Sequence, residues 1–356
     1  MNTLEDKSTA VRKGQEVDLN KLGAYLSSQS QYSDDLEISQ FPSGYSNLTY
    51  LIKSGEQQFV LRRPPSGTKA KSANDMGREY RVLNGLNNYF RYAPEVSLFC
   101  EDESIIGAPF YLMEYIPGLI VRADYPQELN AAPEFVAAQG HQFVAALAEL
   151  HAVDYQAAGL AELGRPEGYT ERQIHGWAKR YTNALTPGAS EFQQVIEWLQ
   201  DQLPDETGNH SLIHNDYKMD NIIWDSEQPD KIIGVLDWEM TTLGDPLMDL
   251  GATLGYWIEA DDPEDLQSIR NMPSNAPGAL SRRELLSRYA AASGREISTD
   301  HFDFYYNYGL FRRAAICQQI YYRFHHGQTN DQRFASLPNS VAALEAQAKR
   351  VIAGEI

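Results

Sequence analysis

Residues 212–225 read LIHNDYKMDNIIWD, and residues 231–240 read KIIGVLDWEM. Both are short strand-and-loop segments with apolar stretches, separated by the polar SEQPD. The first holds His214, Asp216, Lys218 and Asn221 in the pattern H-x-D-x-K-x-x-N. Phosphoryl transfer asks for little covalent help; it needs a positioned nucleophile and neutralised charge in a loose transition state. Asp216 supplies a carboxylate to accept the proton of an attacking hydroxyl. Lys218 suits a contact with the transferred phosphoryl oxygens. Asn221 offers a neutral oxygen, the hard donor that Mg²⁺ takes. Asp237 ends the apolar run Ile232–Leu236, where a carboxylate is costly to bury unless it is paired or metal-bound. Alone, Asp237 also fits a buried turn cap. The two segments in this order point to a catalytic aspartate followed by metal ligands.

Outward from this centre the chain has two characters. Residues 36–63 alternate as strands, with LEIS, LTYLIK and FVLRR joined by the turns FPSGYSN and SGEQQ. A helix follows, read with Ser72 as its cap and Asp75 completing a capping box. PEVSLFCED and GAPFYLMEYI give two more strands, ending at Pro117-Gly118. Helical spacing then covers 133–151, 169–184, 190–202, 245–258, 281–293, 300–326 and 338–352. Asp245-Pro246 reads as an N-cap with proline at the first helical position. Asp18 reads as the cap of an earlier short helix, after a polar and frayed start. Strand–helix alternation is missing. The expected fold is therefore α+β, with an N-terminal lobe over 1–116 and a mostly helical lobe over 117–356.

These motifs resemble the aminoglycoside phosphotransferase and choline kinase family, which shares the protein-kinase fold. The resemblance runs from the loop near Gly44 to the helix ending near His326. VLDWEMTTLGDPLMDLG and FVLRRPPSG most resemble the branch linked to acyl-CoA dehydrogenases. The resemblance implies a two-lobed fold, with a small antiparallel sheet and one helix in the nucleotide-binding lobe and ATP in the cleft. It implies transfer of the γ-phosphate, with Mg²⁺, to a hydroxyl of a small molecule. A hydroxyacyl-CoA is the acceptor implied by the branch; an aminoglycoside, choline or another amino alcohol is the alternative. A catalytically silent, kinase-shaped nucleotide-binding module is a further alternative.

Carried over residue by residue, the family places Gly44, Ser46 and Asn47 in the loop covering the phosphates, although one glycine also fits an ordinary hairpin turn. Period-2 alternation sets Val60 and Arg62 on one face of their strand, Val60 under the adenine and Arg62 toward the phosphates. Arginine here replaces the lysine of protein kinases and brings a planar fork instead of a point charge; Arg63 is the fallback. Glu79 is the ion-pair partner expected to orient Arg62. Glu114 and Ile116 would meet the adenine edge through their backbone, and Met113 would line the pocket. Asp249 resembles the aspartate that braces the catalytic loop. Glu239 lies close enough to Asp237 to help with metal or substrate. His141, His151 and His175 are read as packing residues on helices.

Composition bounds the partners. The 356 residues carry a net charge of -19, which lacks the basic footprint of nucleic-acid binding and disfavours anionic membranes. Cys100 and Cys317 fit no metal spacing and no disulfide framework, and no long apolar run occurs, so a cytoplasmic protein is expected. Arg62, Arg63, Lys69, Lys71, Arg78 and Arg81 form a basic island against Asp75 and Glu79. It suits either a second anionic group beyond the ATP phosphates or a solvated loop. The usual signatures of P-loop NTPases, zincins and α/β-hydrolases are missing.

Overall fold

The computed structural model describes residues 5–29, 32, 35–42, 47–65, 75–205, 208–297 and 301–356. Gly44, Ser46, Ser72, Lys69 and Lys71 lie outside the described residues. In chain order the elements are α1 (Leu19–Ser28), β1 (Leu36–Gln40), β2 (Leu48–Ser54), β3 (Gln57–Arg63), α2 (Met76–Leu86), β4 (Val96–Cys100), α3 (Glu103–Ile106) and β5 (Phe110–Glu114). Then come α4 (Pro133–His151), α5 (Tyr169–Asn183), α6 (Gln193–Asp201), β6 (Ser211–Ile213), β7 (Ile222–Trp224), β8 (Ile232–Val235), β9 (Thr242–Gly244) and α7 (Pro246–Leu254). The chain closes with α8 (Glu264–Gln267), α9 (Arg282–Ser293), α10 (Phe302–His325) and α11 (Leu337–Ile352). The architecture is α+β, as expected from the sequence.

Contacts divide the chain into two compact units. The first comprises Met1–Ile120, Gln156–Leu160 and Ile222–Thr241; the second comprises Val121–Tyr155, Ala161–Asn221 and Thr242–Ile356. A single cut at 116/117 therefore differs from the contact division, which gives two later segments to the first unit. The reason is local. Leu119 and Trp224 exchange backbone hydrogen bonds at 2.8 Å, and the Val235 amide donates to Tyr92 O at 2.7 Å. The β7–β8 hairpin is thereby tied to the first unit.

The first unit is built on an antiparallel sheet in the order β1-β2-β3-β5-β4. Ser54 pairs with Gln57, so the β2–β3 hairpin turns on Gly55-Glu56, with Gly55 at φ 60°. Such tight turns need a positive φ, which glycine adopts without a Cβ penalty. One sheet face gives Tyr50, Ile52, Phe59, Leu61, Phe110 and Leu112 to a core closed by Leu22 and Leu26 of α1 and Ile106 of α3. Each such side chain fully buried contributes about 1.5–3 kcal/mol. Val60 and Arg62 alternate onto the other face.

Two expectations change here. The stretch before α1 is anchored where it is described: Thr9 and Gln40 exchange backbone hydrogen bonds at 2.8 Å, and Tyr50 Oη donates to Gln15 O at 2.6 Å. Polar composition concealed this, because the binding is through the backbone. The cap of α2 is Asp75 itself, whose side chain accepts from the Arg78 amide. Asp75 is thus the cap and not the third residue of a box.

The second unit is mostly helical around a short β6–β9 pair. Helices α7 and α10 approach so closely that a Cβ on Gly309 would fall inside the carbonyl of Gly251. Only a hydrogen fits at that crossing. Phe304, Tyr308 and Phe311 of α10 are buried, as their helical spacing suggests. Asp245 caps α7, accepting from the Leu247 amide at 2.8 Å, with Pro246 at the first helical position. Among the described residues no helix is long and apolar enough to cross a membrane.

Candidate active site

In the second unit, β6 ends at Ile213 and hands the chain to a buried loop. His214 is fully buried, and its ring Nδ1 lies 3.2 Å from the Asp216 amide. Asn215 sits at φ 64°, a conformation asparagine adopts more readily than bulkier residues. The loop is held by Asp249 of α7. Its Oδ2 accepts from the His214 amide and its Oδ1 from the Asn215 amide, both at 2.7 Å. His151, at the end of α4, places Nε2 3.1 Å from Asp249 Oδ2 and Nδ1 2.6 Å from Tyr289 Oη. Burial pushes the Asp249 carboxyl up, but the hydrogen bond and charge of His151, with His214, outweigh it and hold it below the usual value. Arg312 donates to Asn215 O, and Tyr169 Oη donates to Asn215 Oδ1 at 3.1 Å.

This scaffold presents Asp216, whose side chain is 16% exposed. Asn221 Nδ2 donates to Asp216 O at 2.9 Å and to Asp216 Oδ2 at 3.1 Å. Lys218 Nζ lies 3.4 Å from Asp216 Oδ2 and 3.5 Å from Asp220 Oδ2. Asp216, Lys218 and Asn221 are therefore brought together. With its amide nitrogen committed to Asp216, Asn221 has its carbonyl oxygen to offer a hard cation.

The first unit assembles its own group. Arg62 Nη2 lies 2.9 Å from Asp237 Oδ1, and Arg62 Nη1 lies 3.4 Å from Glu79 Oε1. Glu79 is 1% exposed, a buried member of the pair. Burial opposes the Arg62 charge, and Glu79, Tyr111 and Asp237 outweigh it, so its pKa rises. Burial also raises the Glu79 carboxyl, with Arg62 opposing. The two directions agree physically: one guanidinium shared by two carboxylates compensates each only in part. Asp237 stands at φ 69°, a strained conformation for a residue with a Cβ.

Arg63 faces the other way, donating to Ile106 O at 2.9 Å and lying over the Tyr50 ring. Val60 and Met113 are buried directly opposite each other across β3 and β5. The Glu114 amide donates to Glu95 O at 2.8 Å, and Ile116 packs beside Gly234. Asn47 is buried and donates to Glu239 Oε2 at 2.8 Å. In the basic island, Arg78 donates to Thr241 O at 2.7 Å and Arg81 lies 4.0 Å from Asp75.

No local pattern marks Tyr289 or Arg312, and His151 reads as packing from its helical position alone. Only the position of His151, in the last turn of a helix, was available as a signal. Its partners lie 98 and 138 residues away.

A model of the phosphotransferase enzyme family matches residues 37–285. Acyl-CoA dehydrogenase family member 10 of Mus musculus is 35% identical over 340 residues, covering 94% of this chain and 31% of the relative. Acyl-CoA dehydrogenase family member 11 of Homo sapiens is 32% identical over 336 residues, covering 92% and 42%. The chain thus spans less than half the length of these curated relatives. A crystal structure from Ralstonia eutropha, provisionally assigned as an aminoglycoside phosphotransferase, is 29% identical with a TM-score of 0.78, covering 95% of this chain and 99% of that one. Choline kinase of Cryptosporidium parvum superposes with a TM-score of 0.61 at 12% identity, covering 92% of each chain; this likeness concerns the fold alone.

Proposed function

The chain belongs to the phosphotransferase enzyme family, and from that premise we propose that it transfers the γ-phosphate of ATP, with Mg²⁺, to a hydroxyl group of a small molecule. The observation that carries this is the setting of Asp216. Its carboxylate is partly exposed, and Asn221 and Lys218 hold it on a loop pinned by Asp249. Asp216 would accept the proton of the attacking hydroxyl. Lys218 would turn from Asp216 and Asp220 toward the phosphoryl oxygens. Asn221 and Asp237 would hold Mg²⁺, which neutralises charge on the phosphates when bound. Arg62 would steady Asp237 and, with Val60, Met113, Glu114 and Ile116, belong to the nucleotide-binding set.

For the acceptor, a hydroxyacyl thioester of coenzyme A is the first choice. It is supported by the acyl-CoA dehydrogenase names of the curated relatives. A cationic amino alcohol or aminoglycoside is the second, favoured by the net charge of -19. An ATP-consumption screen over hydroxyacyl-CoAs, amino alcohols, sugars and aminoglycosides tests both. Asp216→Asn is expected to lower turnover by about 10²–10⁴ while ATP still binds, the scale of a lost general base. Unchanged turnover would remove Asp216 from the chemistry. ATP binding by the parent protein without turnover of any acceptor would favour a silent module.

A further inference from the structure

Arg313 of α10 is a buried cation that meets no carboxylate among the described residues. It is 6% exposed, and its Nη1 and Nη2 donate to Gly255 O at 3.1 Å and Ile269 O at 2.5 Å. Other arginines of the second unit are neutralised: Arg282 lies 2.6 Å from Asp262, and Arg270 lies 2.7 Å from Asp124. Burial pulls the Arg313 guanidinium below the ordinary arginine value, and the groups opposing it are Cys317, Tyr256 and Tyr306, none of them a carboxylate. The guanidinium stays charged all the same. A buried charge is costly without a counter-charge, and carbonyl dipoles alone leave its positive field to the groups around it.

That field falls on Tyr256. The guanidinium carbon of Arg313 lies 4.9 Å from the centre of the Tyr256 ring, and Lys218 Nζ lies 5.6 Å from it. Lys218 is itself 3.4 Å from Asp216 Oδ2, so the ring stands beside the candidate base. Tyr256 is tied to the same loop: its amide donates to Thr253 O at 3.1 Å, and Thr253 Oγ1 donates to Tyr217 O at 2.9 Å. All of these residues belong to the second unit. The Tyr256 hydroxyl makes no hydrogen bond among the described residues, and it is not sealed from solvent. Burial and Asp216 hold the phenol above its ordinary value against Lys218, Arg312 and Arg313, so at neutral pH it is a protonated donor.

An open aromatic face is a natural seat for an ammonium ligand. This ring already lies against two of the protein's own cations, which repel a third. In the proposed reaction Lys218 leaves for the phosphoryl oxygens, but Arg313 is fixed to two carbonyls and stays. The net charge of -19 acts from afar and is screened by salt beyond about 10 Å, whereas Arg313 acts at close range.

We propose that Tyr256, backed by Arg313, binds an anionic group of the acceptor, so that the acceptor is a hydroxyl compound carrying a carboxylate or phosphate and not a cationic amino alcohol. The proposal rests on the phosphotransfer reading of Asp216. The anion comes either from a carboxylate of the acceptor or from the phosphates of a coenzyme A carrier.

Saturation-transfer NMR titrations of glycolate, ethylene glycol and ethanolamine, which differ in the group beside one hydroxyl, and of glycolyl-CoA measure binding without turnover. An anionic probe should bind the parent protein at least about tenfold more tightly than ethylene glycol, and ethanolamine more weakly than either. Glycolate in that place assigns the anion to the acceptor's carboxylate; glycolyl-CoA without glycolate assigns it to the coenzyme phosphates. Arg313→Met should bring the probes within about threefold of one another. Tyr256→Phe removes only the hydroxyl and should weaken the anionic probe about tenfold, the scale of one hydrogen bond to a charged group, with ethanolamine within about threefold of the parent. Should Arg313→Met fail to fold, as thermal melting would show, Tyr256→Phe carries the comparison. Ethanolamine binding as tightly as the anionic probes overturns the proposal, as does failure of every probe to bind. Unchanged anion binding in Tyr256→Phe, or an order that survives in folded Arg313→Met, overturns it as well. Parallel assays of ATP consumption separate the two readings. The expected binding order with no ATP consumed on any probe would overturn the phosphotransfer reading and leave the anion site, and ATP consumed on ethanolamine alone would do the reverse.

Discussion

Arg62 divides one positive charge between two carboxylates, and its planar fork makes that division feasible. One terminal nitrogen serves Glu79 and the other serves Asp237. A lysine would bring a single point of contact to the same place. Replacing Arg62 by Ala removes the guanidinium that the buried Glu79 shares with Asp237, and urea unfolding should register a loss of about 3–5 kcal/mol. Arg62→Lys should fall between that variant and the parent. Strand alternation made the face of Arg62 legible in the sequence. Glu79 followed from the family resemblance, but the pairing with Asp237 did not, because Asp237 lies 175 residues on and no local pattern joins them. Asp249 acts at the same scale. Its folded pKa is depressed, so its stabilising contribution is full above the unfolded value of about 3.9 and is lost as pH falls through the lower folded value. Unfolding of the parent and Asp249→Asn between pH 6 and 3 should show the stability gap closing below about pH 4. A gap that widened on acidification would contradict the depressed carboxyl.

Helices α7 and α10 show how an element can govern a site it does not enter. The crossing of Gly251 and Gly309 sets how near α7 lies to α10, and α7 carries Asp249, which holds the loop before Asp216. Gly309→Ala should force the helices apart at a cost of about 1–3 kcal/mol. It should also lower turnover more than it weakens ATP binding, because the displaced group braces the candidate base. Equal turnover in a folded Gly309→Ala protein would uncouple the crossing from the loop. Two helix starts were legible, since caps are chosen locally: Asp18 and Asp245 both sit where their residue types suggest. The start of α2 misled because Ser72 and Asp75 both suit a cap, and spacing alone does not choose between them. The helix crossing was illegible, because a glycine in a helix looks the same whether it faces solvent or another backbone.

At the scale of the whole molecule, the α+β class could be read from the order of strand-like and helix-like runs. The membership of the compact units could not, because it is set by backbone pairing of Leu119 with Trp224 and of Tyr92 with Val235. A nucleotide that binds only the folded chain should stabilise it by about 2.7 kcal/mol at one hundred times its Kd. Thermal melting with ATP and Mg²⁺ measures this, and no shift at saturating nucleotide would count against the proposed function.

The return of Ile222–Thr241 to the first unit also bears on how the protein is made. The five sheet strands and α1 leave the ribosome early, but their unit lacks β7, β8 and Asp237 until residue 241 has emerged. At about 5–20 residues per second, the sheet waits roughly 6–25 seconds for its last piece, with Arg62 and Glu79 awaiting Asp237 throughout. A nascent chain stalled before residue 222 should therefore remain protease-sensitive in its sheet, and one stalled well beyond 241 should not.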